Sequence, residues 1–136
     1  MRRAGDAELV SRLRATIAEL RSALAGLPQT LSPRDEAALE RWLQVAIQIC
    51  IDLGDRILGA RGVEEPARQA DVFIALRGLG VLTREQASDM NRMVDLRNAL
   101  VHDYPRFTAE NLPDEVRGAL PVLESVAASL IASLAP

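Results

Sequence analysis

The chain has 136 residues, the length of one compact domain. Its 49% apolar and 26% charged residues exclude intrinsic disorder, because enough apolar side chain is present to offset the entropy of ordering. The net charge of −3 excludes a uniformly basic coat for nucleic acid, although the 16 basic residues, all arginine, leave room for a local patch.

Aromatic residues make up only 3% of the chain, so a core of Leu, Ala, Val and Ile is expected, a mixture that favours helix packing over a sheet. Over residues 6–24, Leu9, Leu13, Ile17, Leu20 and Leu24 recur at spacings of three and four and predict a first helix. Residues 26–31 read as a loop. Ser32 then caps a second helix with Pro33 at its first position and Asp35 and Glu36 in its first turn, running to about Leu58 and stopping at Gly59. Its middle, from Trp42 to Ile51, is apolar on most sides, which marks the central and most buried helix.

A third, shorter helix is expected after Pro66, ending at Gly78 and Gly80. Thr83 and Gln86 have the capping-box spacing and open a fourth, which continues through Met90, Met93, Val94, Leu96, Leu100 and Val101. It must end near His102 or Asp103, because Pro105 pushes Tyr104 out of the helical region. A fifth lies between Pro113 and Leu134, with Pro121 kinking or restarting it. With no repeat and no alternating strand pattern, the fold class is all-α, a single domain over residues 1–136 built as a bundle of four to five helices.

The single cysteine, Cys50, allows no internal disulfide and no cysteine-based zinc site, and its isoleucine neighbours mark it as a plain buried thiol. No uninterrupted apolar run reaches the ~20 residues of a membrane span. Met1-Arg-Arg-Ala-Gly-Asp6 carries no apolar signal region, so the expectation is a cytoplasmic chain with no membrane partner.

Reactive groups concentrate in one segment, Arg97-Asn98-Ala-Leu-Val-His102-Asp103-Tyr104, which holds the only histidine and the only tyrosine. Asn98 and His102, four apart, share a helical face. Arg97 and His102 are five apart, roughly 140° around the axis, yet the long arginine side chain can bring its guanidinium near the imidazole. An imidazole takes or gives a proton near neutrality, and a guanidinium offers a fixed fork of donors to phosphate oxygens. Together they suit cleavage of RNA by attack of a ribose 2′-hydroxyl on its own phosphate, which needs a base, an acid and charge stabilisation but no metal. One histidine per chain supplies the base or the acid; a two-fold dimer supplies both. A purely structural reading has His102 complementing the helix dipole and Arg97 paired with Asp95 or Asp103.

The segment matches the R-x4-H-x-Y motif, and the chain resembles the HepT-like toxins of the HEPN superfamily. The likeness extends beyond about residue 33: Glu40 to Gly54 is similar to the family's long second helix with its acidic residue, Asp52, residues 66–82 to its third, and Asp89 to Arg97 to its approach to the motif. The resemblance implies an all-α HEPN-type homodimer acting as a metal-independent, cofactor-free endoribonuclease. It would be the toxin of a toxin–antitoxin pair whose antitoxin is a MntA-like minimal nucleotidyltransferase. By position, Arg97 and His102 take the catalytic roles, Asn98 and Asp52 support them, and Tyr104 receives AMP from the antitoxin. A nucleotide there would set anionic phosphate against Arg97 and block the cleft. The scarcity of aromatics leaves little for base stacking, so phosphate contacts should dominate RNA binding.

Asp52 and Asp55 either orient Arg97 from the neighbouring helix or, for Asp52, pair with Arg56 four residues on. Trp42 is read as core or dimer contact, Met90 and Met93 as interface packing, and Glu64 and Glu65 as the dipole complement of a helix start. A dimer packed along the fourth helix would use Met90, Met93 and Leu100. The alternative on the same fold is a noncatalytic helical module that docks a nucleotidyltransferase and assists its substrate binding.

Overall fold

The computed structural model describes residues 5–101 and 111–134; His102, Asp103 and Tyr104 lie outside the described residues. Five helices follow in order: α1 (Asp6–Ala25), α2 (Pro33–Ala60), α3 (Asp71–Gly78), α4 (Arg84–Val101) and α5 (Leu112–Ser133), with no strand among the described residues.

Local chemistry sets the helix ends. The Asp35 backbone N–H donates to Ser32 Oγ at 3.1 Å and the Asp35 carboxylate accepts from the Ser32 N–H at 3.2 Å, while Pro33 takes the first turn, where its missing N–H costs nothing. α2 runs one residue past Gly59; its terminator is Gly62, whose φ of +75° lets the Val63 N–H return to the Leu58 carbonyl at 2.9 Å. The same turn closes α3, with Gly80 at φ +77° and the Val81 N–H on the Leu76 carbonyl at 3.0 Å.

Thr83 and Gln86 form the expected reciprocal cap of α4, both bonds at 3.0 Å. The Gln86 Nε2 also donates to Ser125 Oγ and Ser129 Oγ of α5, each at 3.0 Å. One side chain thus closes its own helix and ties it to a neighbour.

α2 packs against all four other helices. Ile49, Cys50 and Ile51 are buried in succession, which requires neighbours all round the axis and bears out the expectation of a central helix. Leu13 and Leu20 of α1, Phe73 and Leu76 of α3, Met90 of α4 and Val116, Leu123 and Leu130 of α5 complete the core. Asp6 of α1, a buried carboxylate, accepts from Arg56 of α2 at 2.8 Å.

Several expectations are corrected. α3 begins at Asp71 rather than directly after Pro66, because residues 64–69 bury no side chain and a helix there would have nothing to pack against. Glu64 and Glu65 therefore lie in the loop, and Asp71 is the acid of the first turn. Met90 is wholly enclosed and Leu100 is 9% exposed, so the core of this chain takes the residues expected at a dimer face. Trp42 is half-buried against the same core.

α5 continues through Pro121 without a break; the proline lies on the exposed face, where the carbonyl it leaves unbonded can reach water. By length and composition α5 is also apolar enough to cross a membrane, although its apolar residues form no unbroken run. Its Leu112, Val116, Ala119, Leu123, Val126 and Leu130 are spent on the core, and its outer face carries Asp114, Glu115, Arg117 and Glu124.

Candidate active site

Arg97 lies one turn before Val101, the last described residue of α4, on the side facing α2 and the loop before α3. Its guanidinium is held by three side-chain amides. Nη1 donates to Gln48 Oε1 of α2, while Nη2 donates to Gln69 Oε1 and to Asn98 Oδ1, each at 2.7 Å. Nε is buried and has no hydrogen-bond partner among the described residues. All three acceptors are neutral, so no carboxylate among them cancels the charge.

Gln48 is in turn held by Asp52, one helical turn along α2, whose Oδ1 accepts from Gln48 Nε2 at 3.0 Å. The amide can be oriented only one way: Arg97 has nothing but donors, and an ionised Asp52 nothing but acceptors. The carboxylate thereby turns the Gln48 oxygen toward the guanidinium. Asp52 reaches Arg97 through an intermediary rather than by direct contact.

Asp55 does not join this line. Its Oδ1 is buried with no hydrogen-bond partner among the described residues. Burial first, then the negative charges of Glu65 and Asp52, push its carboxyl above the usual range. Arg56, which the sequence could have paired with Asp52, turns instead to Asp6.

Of the residues singled out from the sequence, the structure brings together Arg97, Asn98 and, through Gln48, Asp52. Gln48 and Gln69 were not foreseen. The trace of Gln48 is a polar residue in the otherwise apolar run around Ile47 and Ile49, four positions before Asp52; Gln69 leaves no such trace. Cys50 is fully enclosed and its thiol is pushed up to about 12, which removes it as a nucleophile. Among the described residues no group of three or more His, Cys, Asp or Glu side chains is placed to hold a metal ion. Surface depressions lined by Leu27, Leu31 and Pro113, and by Ile17, Arg21 and Ile131, include none of these site residues.

What the arrangement offers chemically is a fixed cation at the end of a helix, rigidly placed and not neutralised by its holders. Such a group suits an anionic oxygen, phosphate above all.

The profile of the family described as Ribonuclease HepT-like matches residues 13–130. The tri-AMPylated HEPN toxin of Shewanella oneidensis, solved in complex with an MNT antitoxin, superimposes with a TM-score of 0.83 at 21% identity, over 92% of this chain and 95% of that one. A tyrosine-to-alanine mutant of a MntA–HpeT toxin–antitoxin gives 0.79 at 17% identity, over 92% and 96%. YutE of Bacillus subtilis, a cytosolic protein of unknown function, gives 0.71 at 18% identity, over 90% and 87%. Sequence comparison with curated proteins gives no match.

Proposed function

The chain belongs to the HepT-like family, and from that premise we propose that it is a metal-independent endoribonuclease, the toxin of a HepT/MntA-type toxin–antitoxin system. The observation that carries the reading is the guanidinium of Arg97, fixed by Gln48, Gln69 and Asn98 through neutral oxygens and left with its charge to offer.

In the proposed reaction the RNA 2′-oxygen attacks the adjacent phosphorus and gives its proton to the imidazole of His102. The bond to the 5′-oxygen breaks, and that oxygen takes a proton from an imidazolium, supplied by a second copy of the chain in a homodimer. The products are a 2′,3′-cyclic phosphate and a 5′-hydroxyl. Arg97 stabilises the extra negative charge on the phosphoryl oxygens in the transition state. Asn98 and, through Gln48, Asp52 keep it aimed.

The partner is a MntA-like nucleotidyltransferase antitoxin that places AMP on Tyr104. The AMPylated HEPN toxin with its MNT antitoxin among the similar structures supports this. A cytoplasmic location accords with the cytosolic protein that shares the fold. No cofactor enters the chemistry as proposed.

The test is RNA cleavage by the purified protein in EDTA, comparing wild type with His102→Ala. Loss of a general acid–base should lower the rate by about 10²–10⁴-fold, and the wild-type products should end in cyclic phosphate. Equal cleavage by the variant, or none by the wild type, would refute the reading. The second of these outcomes would leave the noncatalytic docking module.

A further inference from the structure

We infer that Gln48 and Gln69 are positioning residues for Arg97, holding its guanidinium through neutral oxygens so that its charge is kept for a substrate phosphate. The inference rests on the ribonuclease reading above. Three carboxylates, Asp52, Asp55 and Glu65, are close enough to one another for Asp52 and Glu65 to raise Asp55. None of them is hydrogen-bonded to Arg97. Gln48 stands between Arg97 and Asp52, bonded to both, so that Asp52 reaches the guanidinium only through it.

Gln69 completes the hold from the solvent side. Both Nη2 protons are already engaged, one by Gln69 and one by Asn98. A phosphate oxygen gains Nη2 only by displacing one of these acceptors, and the exposed Gln69 is the one within reach of solvent and substrate. A neutral amide yields to an anionic oxygen, because a phosphate adds the attraction of opposite charges and can meet the guanidinium with two parallel bonds. A carboxylate in its place would not yield. Gln69 therefore keeps the arginine in position before substrate arrives and gives way when it does.

The decisive comparison is Gln69→Glu against Gln69→Ala, with RNA cleavage in EDTA followed over substrate concentration and thermal melting recorded alongside. The glutamate is isosteric and lies on the surface, so the fold is kept. Removing the hold with alanine should lower kcat by about three- to tenfold. Glutamate should lower it by about 100-fold and raise KM, with a melting midpoint no lower than that of wild type. A merely structural clamp predicts the reverse order, since a carboxylate grips arginine more firmly than an amide does. Wild-type kcat and KM in Gln69→Glu, or a deeper loss in Gln69→Ala than in Gln69→Glu, overturns the inference while the ribonuclease reading stands. A wild-type protein that leaves RNA intact overturns both.

Discussion

Gly54 of α2 lies so close beneath Val72 of α3 that a Cβ on the glycine would come within 2.6 Å of Val72 Cγ1, and within 3.0 Å of Leu76 Cδ1. In an exposed helix, Gly→Ala stabilises by about 0.5–1 kcal/mol. Here the contact reverses the sign, because Val72 is β-branched, stiff at χ1 and buried. Gly54→Ala should cost about 1–3 kcal/mol in urea unfolding. It should also lower RNA cleavage, since pushing α3 off α2 carries Gln69 away from Arg97.

Arg97→Lys keeps the charge and removes the geometry. Two guanidinium nitrogens serve three acceptors on three segments of the chain, and one ammonium nitrogen on a flexible stem cannot span them. Cleavage should fall by about 10²–10³-fold. Cleavage within about threefold of wild type would make Arg97 a steering charge only.

Asp55→Asn should stabilise the protein at neutral pH. Its carboxyl is raised in the folded chain, so the folded state holds the proton more tightly than the unfolded one. Stability is then lost as pH rises from the ordinary carboxylate value, about 3.9, through the higher folded value. Asparagine carries no charge to lose. The gain at pH 7 should stay below about 1 kcal/mol, because the half-buried group is still screened by water. Urea titrations at several pH values should show it shrinking as pH falls and vanishing below about pH 4.

Tyr104→Phe should keep the fold and a substantial part of the cleavage, yet escape the antitoxin. The variant should then be more toxic than wild type when both partners are expressed together. Mass spectrometry of the coexpressed wild type should find AMP on the peptide containing Tyr104. AMP elsewhere, or equal neutralisation of the variant, would end the regulatory role. A folded but inactive variant would move Tyr104 into the catalytic set.

Much of this architecture was legible because helix ends are written locally. Ser32 with Asp35, Thr83 with Gln86, and Gly80 after α3 each act within a few positions of themselves, whereas α2 turns at Gly62, three residues beyond the Gly59 expected from the sequence. The start of α3 was not legible, since Pro66 offers a plausible first turn and only the lack of anything to bury shows that no helix forms there. Met90 and Leu100 were misplaced for a related reason: a stripe at spacings of three and seven is the same signal whether core or partner covers it. In the site, Arg97 and Asn98 could be read from the motif and Asp52 from the helix that carries it. The hold on Arg97 could not, because Gln48 and Gln69 come to it from 49 and 28 positions away, and glutamine in a helix or loop announces nothing by itself.

Gln86 is fastened at both ends of its amide, to Thr83 behind it and to the two serines of α5. A helix so fastened resists turning about its own axis, and eleven residues make just over three whole turns. Arg97 therefore leaves α4 at nearly the azimuth of Gln86, about 16 Å further along. Gln86 thus helps to fix the azimuth from which Arg97 departs, while Gln48, Gln69 and Asn98 fix the guanidinium itself. A substitution at Gln86, remote from any RNA, should register in the chemistry before it registers in the fold.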